Sequence, residues 1–573
     1  MALININGCE INANKSLNMD EACLSIVNKI NESISLYSIV DECNVCDGLL
    51  WKHLTPNSNT SLVVSTRYPL HMYYTKQNQQ LCHTTFKFQE YGHYGWNFSD
   101  TEICSNIYQL VGPINSYLPL LAAFMIFTIA SIVIVTTKFM IKIFKRFVSR
   151  SSIDETNDTS PLQESDPPLQ PPMRITRVST RIKSIDTFRG ISILLMIFVN
   201  NGGGKYVFFN HAPWNGLTFA DLVLPWFAWI MGVTIVLSLR SHIRLSISRS
   251  RIILMSFKRT LIFILLGLII NGLSDKCHDG INLSELRYPG ILQLLGITYF
   301  ICSTIEIISM KAQRNFQYGR FAFLQDILDA WIQWLIILAL TATHLLITFL
   351  LPVPGCPSGY FGPGGYEFHK KYANCTGGAA GYIDRMIFGN HIYMKSVNNP
   401  IVGPVPPHDP EGIMNTLSAV LIVALGVQAG RILFSYYLHV YSKIIRWLSW
   451  AIVLGLIAGV LCDWSKEGTI PISKNMMTLS YVLTTSCFSF ILFTVLYYLI
   501  DHLRVWNGAP FIYAGTNSIF LYMGHYFTMH AFPWAWKIIH PTHASLLAMN
   551  IWTTAIWVLI AYGLYKQGTI ITV

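Results

Sequence analysis

The sequence carries little charge. Of its 573 residues only 12% are charged, whereas 52% are hydrophobic, and a soluble globular protein has about twice that charged fraction. This excludes an ordinary soluble domain and indicates a membrane protein. The formal net charge is +10, but the basic residues stand in short clusters between apolar runs. That is the positive-inside pattern of a polytopic membrane protein, and it argues against a nucleic-acid-binding one.

Three patterns are missing. The opening "MALINING" has no charged region and no apolar core of a signal peptide, so either a leader precedes it or the first membrane span translocates the amino-terminal segment. No second C-x-x-C pair accompanies Cys43 and Cys46, so a structural disulfide is favoured over a zinc or redox site. No internal repeat supports an inverted-repeat transporter.

Residues 1–112 differ from the rest of the chain. They hold six of the twelve cysteines, and "SLVVSTRYPLHMYYT" and "TTFKFQEYGHYGWNF" have the β-branched and aromatic composition of strands. We therefore predict a small β-rich, disulfide-bonded domain outside the cytosol. We predict a Cys43–Cys46 disulfide and a link from Cys104 to Cys375. The N-x-[ST] sequons of this domain begin at Asn14, Asn31, Asn59 and Asn97.

Eleven apolar runs approach the roughly 20 residues that a bilayer requires. The first, 117–137, lies in a predicted transmembrane helix 113–140, and the Ser-, Asp- and Pro-rich linker 141–184 is predicted to be disordered and cytosolic. Residues 185–573 are predicted to form a ten-helix membrane domain with an outer loop, 351–411. The fold class is thus a polytopic α-helical membrane protein of about eleven transmembrane helices with a luminal β-rich domain. The ten further runs lie near 186–203, 218–239, 258–273, 289–310, 327–350, 413–430, 447–462, 476–500, 516–532 and 548–565.

Basic clusters and sequons agree on the orientation. The basic clusters place alternate short loops in the cytosol, and the sequons at Asn282 and Asn374 fall in the loops on the opposite side. Both signals put the amino terminus in the lumen and the carboxyl terminus in the cytosol. The sequon at Asn157 lies in the cytosolic linker and is expected to stay unmodified.

One stretch combines flexibility with polar side chains: "FVNNGGGKYVFFNHAPWNGLTFADLVLPWFAWIMG", residues 198–232. Its glycines can adopt backbone angles that other residues avoid, which favours a ligand pocket over a plain helix end. His211 and Asp221 follow, and an ionisable group within a span is a functional candidate. With Asn200 they suit proton handling and oxyanion stabilisation. The pocket prediction covers Gly202, Gly203, Gly204 and Lys205.

Further polar residues recur at the outer ends of the apolar runs. They either line a shared cavity or, more simply, are ordinary residues at helix starts. On the cytosolic side, Arg189 and the basic loop 240–259, which ends in Arg259, suit an anionic ligand. Positive-inside bias alone also predicts such a loop. The outer residues are Asn215, Arg287, Asp409, Glu411, Lys474 and Asn475.

Several of these stretches resemble a known family. From "SIDTFRG" through the stretch quoted above, and again in later motifs, the sequence is similar to the heparan-α-glucosaminide N-acetyltransferases, a family of lysosomal transmembrane enzymes. The resemblance runs from about residue 184 to the carboxyl end with the motifs in the same order, whereas the amino-terminal domain matches by position and cysteine content. The later motifs are "RYPGILQLLGITYF", "CPSGYFGPGG", "YANCTGGAAGYIDR", "DPEGIMNT", "GVQAGRIL", "IPISKNMMTLSYVLTTS" and "GTNSIFLYMGH".

The resemblance implies an enzyme of the lysosomal membrane. It would move an acetyl group from cytosolic acetyl-CoA to the terminal glucosamine amine of heparan sulfate in the lumen, with no metal. The family's active-site histidine maps to His211, and the asparagine of its "VNxGGG" segment maps to Asn200. We expect Arg189, Arg259 and the glycine segment to meet acetyl-CoA, and the outer residues to meet the glycan. One departure is Leu294, which follows "PGILQ" where the family usually has arginine.

Alternatives remain at this stage. His211 either acts as a general base in a ternary complex, which we favour, or carries the acetyl group covalently in a ping-pong cycle. An acyltransferase for another sugar or hydroxyl is one rival function. A secondary transporter built on Asp221 and a broken helix is the other. The sequence leaves the oligomeric state open, a homodimer included.

Overall fold

The structure, a computed structural model, describes most of the chain. Two compact units are present, and each is described by itself: Met1–Ile114 together with Lys183–Val573, and Asn115–Ile182. The described residues are 17–43, 45–76, 79–99, 104–154, 181–273, 283–309, 325–393, 398–399, 401–435 and 438–571.

A β-domain of two four-stranded sheets begins the first unit. The sheets have the orders β4-β1-β7-β8 and β3-β2-β5-β6, with β1 and β7 parallel. Leu24 and Trp96 of one sheet share a buried cluster with Leu36 and Met72 of the other, as in a β-sandwich. The strands predicted within 61–75 and 84–98 are confirmed. The strands are β1 Glu21–Asn28, β2 Ile34–Val40, β3 Leu49–Leu54, β4 Ser58–Ser65, β5 Leu70–Lys76, β6 Gln79–Phe86, β7 His93–Phe98 and β8 Tyr108–Val111.

Disulfides close short segments of the chain. The predicted Cys43–Cys46 disulfide is confirmed. The predicted link from Cys104 to Cys375 is wrong, because Cys104 pairs with Cys82 and Cys375 pairs with Cys356 in the outer loop. Each of these two cysteines therefore finds a partner within its own segment, and no disulfide among the described residues ties the β-domain to the outer loop.

Ion pairs and apolar contacts join the β-domain to the helical part instead. Asp20 Oδ1 lies 3.1 Å from His543 Nε2, and Glu42 Oε2 lies 3.0 Å from Lys466 Nζ. The Cys43–Cys46 loop packs against Val402 and Val405 of the outer loop. These contacts hold the β-domain against the helical part.

The second unit is a single helix among the described residues. This helix, α1, spans Leu118–Asp154 and has 37 residues. An 18-residue window within its segment Leu118–Phe144 has a mean hydropathy of 2.6, which suits a membrane span. The prediction of a disordered linker beginning at residue 141 is wrong for residues 141–154, because helix α1 continues through them. Residues 155–180 of that linker lie outside the described residues.

The first unit contains the other helices. Across both units, nine helices of the described chain are long and apolar enough to cross a membrane: α1, α3, α4, α5, α7, α9, α10, α11 and α14. This supports a polytopic helical membrane protein, while the total of eleven spans stays a prediction. The helix bounds are α2 Lys183–Asn200, α3 Phe219–Arg244, α4 Arg249–Leu273, α5 Ile291–Ser309, α6 Gln325–Leu328, α7 Trp331–Leu350, α8 Gly378–Phe388, α9 Ile413–Leu433, α10 Val440–Leu461, α11 Leu479–Leu496, α12 Phe511–Thr516, α13 Ser518–Thr528 and α14 His543–Lys566.

Two predicted spans differ from long apolar helices. The first, α2, has 18 residues and carries Lys183, Asp186 and Arg189 near its start. The second, predicted at 516–532, is broken at Asn517, which separates α12 from α13. The Asn517 amide donates to Thr569 O at 3.0 Å and its Oδ1 accepts from Ile571 N at 2.8 Å. The polar side chain therefore holds the carboxyl-terminal segment at the break.

Close helix packing fixes the position of α3. A Cβ at Gly232 of α3 would collide with the Val423 carbonyl oxygen of α9, and a Cβ at Gly426 of α9 would collide with the Trp229 carbonyl oxygen of α3. Small residues at such a crossing let the two backbones approach closely, as they often do in membrane proteins. This contact holds the helix whose first turn carries Asp221.

Candidate active site

The glycine segment forms a packed turn after α2. Gly202, Gly203 and Gly204 have φ angles of 107°, 53° and 68°, which favour glycine. The space where Gly203 would carry a Cβ is occupied by Phe209. The interpretation of the glycines as an open approach for a ligand therefore has no geometric support. These glycines redirect the chain toward His211, and their assignment to the donor, like that of Lys205, stays a prediction.

Asp221 holds His211 in one orientation. The Oδ1 of Asp221 lies 2.7 Å from His211 Nδ1. Its Oδ2 accepts from Thr218 Oγ1 at 2.9 Å, Ala212 N at 3.1 Å and Thr218 N at 3.2 Å. These donors match an ionised carboxylate, so Nδ1 carries the proton that is donated to Asp221. The Nε2 of His211 is then the basic nitrogen.

His211 is accessible although its partner is buried. Its side chain is 51% exposed, whereas Asp221 is 1% exposed. The T-x-x-D spacing of Thr218 and Asp221 forms a capping box at the start of α3, and this motif is readable in the sequence. The arrangement gives an oriented, exposed base on a buried acid, as in catalytic His–Asp pairs.

Lys474 joins this pair from a distant part of the chain. Gly216 N donates to Ile472 O at 2.7 Å and Ser473 Oγ donates to Trp214 O at 2.9 Å, which fixes the two loops together. The Nζ of Lys474 lies 3.1 Å from Nδ1 and 3.2 Å from Nε2 of His211. Because these distances are nearly equal, the amine lies off the lone-pair axis of Nε2. Burial lowers the pKa of Lys474, against the attraction of Asp221.

A cavity of about 190 Å³ extends from His211 to the amino-terminal end of α2, where Arg189 lies. Asn200, at the carboxyl end of α2, lines it together with His211 and Lys474, and Arg189, near the start of the same helix, lines it as well. Eleven residues of helix separate Arg189 from Asn200, which is roughly 16 Å along the axis. We call these two places the Arg189 end and the Asn200 end of the cavity. The space is narrow and long.

A second cavity of about 300 Å³ shares Arg259 with the first and has a basic lining that includes His242 and Lys258. The Arg259 guanidinium lies over the Tyr299 ring, 4.9 Å from its centroid. Within the described part of the chain, the buried Nε of Arg259 and Nδ1 of His242 find no hydrogen-bond partner. Two unpartnered nitrogens in a basic cavity suit an anionic ligand.

Five of the six predicted outer residues do not line the cavity in the described structure. Arg287 binds Asp409 through two hydrogen bonds of 2.8 and 2.6 Å and also pairs with Glu411. The peptide carbonyl of Asn475 accepts from His408 Nε2 at 2.8 Å, and this contact is structural. All five residues, Asn215 included, therefore stay predicted contacts of the glycan without geometric support.

Two partners of the predicted residues were not anticipated. The hydroxyl of Tyr481 donates to the Asp221 carbonyl oxygen at 2.6 Å, which ties α11 to the start of α3. The Asn200 amide lies 3.0 Å from Nε2 of His525 in α13. His525 ends the motif "GTNSIFLYMGH", but nothing in the sequence indicates that it meets a residue 325 positions earlier.

No family model matches the sequence, but individual proteins do. The human heparan-alpha-glucosaminide N-acetyltransferase is 39% identical over 86% of this chain and 78% of its own length. The mouse protein of the same name is 37% identical over 97% of this chain and 89% of its own length. The chain belongs to this family. It is therefore an acetyltransferase-family enzyme, and the family expectation raised by its motifs is confirmed.

Proposed function

We propose that this enzyme transfers the acetyl group of acetyl-CoA to the terminal glucosamine amine of heparan sulfate. The acetyl donor would come from the cytosol and the acceptor from the lysosomal lumen, with the β-domain on the luminal side. The observation that carries the proposal is the cavity that joins basic residues at its Arg189 end to the His211–Asp221 pair at its Asn200 end. The names of the human and mouse relatives supply the acceptor.

The donor fits the two cavities by charge and shape. Phosphate groups of acetyl-CoA are anionic and would meet Lys258 and Arg259, and the buried Nε of Arg259 has no hydrogen-bond partner among the described residues. The long pantetheine arm would follow the narrow cavity beside Met196 and Val223, which line it with apolar surface. The thioester would then lie near Asn200 and His211.

The chemistry at the Asn200 end needs a base because a protonated amine cannot attack. Imidazole takes up protons readily near neutral and mildly acidic pH. His211 Nε2 would accept a proton of the glucosamine amine while the amine nitrogen bonds to the thioester carbonyl carbon. The carbon–sulfur bond then breaks, and the protonated His211 gives its proton to the CoA sulfur, so CoA leaves as the thiol and the base is regenerated. Asp221, held by Thr218 and Ala212, would stabilise the imidazolium that forms.

Asn200 and Lys474 would complete the site. The Asn200 amide lines the cavity and would donate to the thioester carbonyl oxygen, where negative charge develops. Lys474 lies against His211, and its amine would meet the anionic glycan. The exposure of His211 lets an acceptor reach the base without entering the membrane part.

The test uses the full chain in liposomes, with acetyl-labelled CoA added outside and a heparan oligosaccharide ending in glucosamine enclosed. The proposal requires label on the enclosed sugar as an amide that resists mild base. Label released by mild base would indicate a hydroxyl acceptor, and an oligosaccharide already acetylated at its terminal amine is the control.

Labelled donor alone should leave no label on the protein. Recovered acetyl-histidine at position 211 that transfers competently to glucosamine would establish the ping-pong route.

Glycan mapping tests the orientation separately. We expect sugar on Asn374, whose side chain is exposed in the outer loop, and on Asn97 of the β-domain. Asn157 should be unmodified because the linker is cytosolic in the proposed orientation. Sugar on Asn157 would reverse the orientation, and the donor would then have to enter from the other side.

A further inference from the structure

The side chain of Asn200 is held by His525. Asn200 Nδ2 lies 3.0 Å from His525 Nε2, so the end of α2 and the last turn of α13 are joined at the cavity wall. His525 is 1% exposed, and α13 follows the break at Asn517. A buried hydrogen bond of this kind is costly to leave unmade, because each orphaned group keeps its desolvation penalty.

The other ring nitrogen decides the direction of this hydrogen bond. His525 Nδ1 lies 3.3 Å from the Leu521 carbonyl oxygen, which can only accept. The proton therefore belongs on Nδ1, and Nε2 presents a lone pair. Only the amide nitrogen of Asn200 can donate to that lone pair, so the Asn200 oxygen cannot take this place. The tautomer of His525 thus requires Asn200 to present its amide nitrogen, and not its oxygen, to the ring.

Aromatic neighbours hold the His525 ring in place. The ring of Tyr526 lies 4.3 Å from that of His525 between centroids, and the ring of Tyr522 lies 5.7 Å away with an edge contact. Tyr522 itself lines the cavity. The imidazole is therefore fixed by its own helix, and the cavity reaches the same group of side chains.

We propose that His525 is a positioning residue for the acetyl transfer: by accepting from Asn200 Nδ2, it orients the amide toward the thioester carbonyl. This inference rests on the proposed function, in which Asn200 stabilises negative charge on that oxygen. His525 does not touch the donor or the acceptor and acts through Asn200. Its loss should lower turnover, since misorientation of a group at the reacting centre can cost up to about 100-fold.

The experiment is a double-mutant cycle on the full-length enzyme, with kcat and the KM for acetyl-CoA measured separately. His525→Leu should lower kcat by roughly 10- to 100-fold with little change in KM. Asn200→Ala should lower kcat by about 10²- to 10³-fold. In the Asn200→Ala background, His525→Leu should cost almost nothing further, because residues that act as a unit are not additive.

A matched pair of variants separates positioning from packing. His525→Gln can place an acceptor where Nε2 lies and should keep most of the activity, whereas His525→Asn is too short to reach Asn200 and should behave like His525→Leu. His530→Leu, which removes an exposed histidine two residues beyond α13, should be silent. If the leucine variant fails to fold, the Gln and Asn variants decide.

Each outcome bears on one of the two claims. Normal kcat in His525→Asn, or a full additional loss when His525→Leu is added to Asn200→Ala, overturns the positioning role. Equal losses in His525→Gln and His525→Asn do the same. Near-normal turnover of Asn200→Ala overturns the role of Asn200 in the proposed function and takes this inference with it. A large Asn200 effect with no His525 effect leaves the proposed function intact and removes only the inference.

Discussion

Two charged clusters at the outer ends of the helices look alike in the sequence and differ in the structure. Arg287 binds Asp409 and Glu411, and its guanidinium lies over the Tyr393 ring at 4.9 Å. His211 has one buried acid, Asp221, and a side chain that is 51% exposed. The Arg287 cluster is closed, because its members bind one another. The His211 cluster is open and faces a cavity, and this difference separates a structural cluster from a reactive one.

Electrostatics adds to the contrast. Burial disfavours the charge of Arg287, but Glu411 and Asp409 hold its pKa above the ordinary value. Burial lowers the pKa of Lys474, so Lys474 holds its proton less tightly than an ordinary lysine. A cation locked by two carboxylates changes little with pH, whereas an amine beside an exposed imidazole can exchange protons. The open cluster is thus the one suited to proton transfer.

The largest expected effect comes from removing the base of the open cluster. His211→Ala should lower turnover by about 10²–10⁴-fold, the usual worth of a general base. Binding of acetyl-CoA should persist, because Arg259 and the second cavity are untouched. The measurement is kcat for glucosamine acetylation together with donor binding by calorimetry. Near-normal turnover of His211→Ala would remove this cluster from the reaction altogether.

Breaking the closed cluster should act on stability. Arg287→Met leaves two buried carboxylates without their cation, a change that typically costs about 3–5 kcal/mol. Thermal unfolding should shift down strongly, while the turnover of the folded fraction stays close to normal. Lys466→Met is the matched control: its pair with Glu42 is 43% and 21% exposed, and such pairs are worth about 0–1 kcal/mol. A normal melting temperature with lost turnover in Arg287→Met would reverse the assignment of the two clusters.

Local patterns in the sequence predicted part of this arrangement. Alternating apolar residues gave the strands of the β-domain, and apolar runs gave most of the helices. The pairing of His211 with Asp221 could have been predicted from the sequence, because a short loop and a capping box connect them. The break at Asn517 was not foreseen, since one amide in an apolar run has little weight in hydropathy but can bind the carboxyl-terminal backbone.

Long-range contacts were beyond the sequence. Lys474 meets His211 across 263 positions, and His525 meets Asn200 across 325; neither spacing follows a helix or strand period. The interpretation of the glycine segment as an open approach for a ligand failed for a related reason. Positive φ angles were foreseeable, but whether the space beside Gly203 holds a ligand or Phe209 depends on tertiary packing. The same limit applies to Cys104, whose partner is set by a strand of its own domain.

The smallest expected effect concerns Asp384, a buried residue close enough to the closed cluster for the charge of Asp409 to act on it. Burial raises the pKa of Asp384 to about 7, and the charge of Asp409 adds to this, against the hydrogen bond from Ile413 N. An unfolded chain ionises this residue near its ordinary value of about 3.9. Between these two pKa values, Asp384 is therefore protonated in the folded protein and ionised in the unfolded chain. The stability from this proton is complete below about pH 4 and is lost as the pH rises through about 7.

A pH series of melting temperatures tests this. Asp384→Asn is uncharged at every pH, so it should melt close to the wild type at pH 4.5 and above it at pH 8, because only the wild type then carries a buried charge. Asp463→Asn is the control, since hydrogen bonds from Thr469 lower the pKa of that exposed carboxyl and its protonation changes only in stronger acid. Asp463→Asn should change the melting temperature by the same amount at every pH of the series. Parallel curves for wild type and Asp384→Asn between pH 4.5 and 8 would show that the carboxyl of Asp384 is already ionised in the folded protein at pH 4.5, which would contradict the prediction.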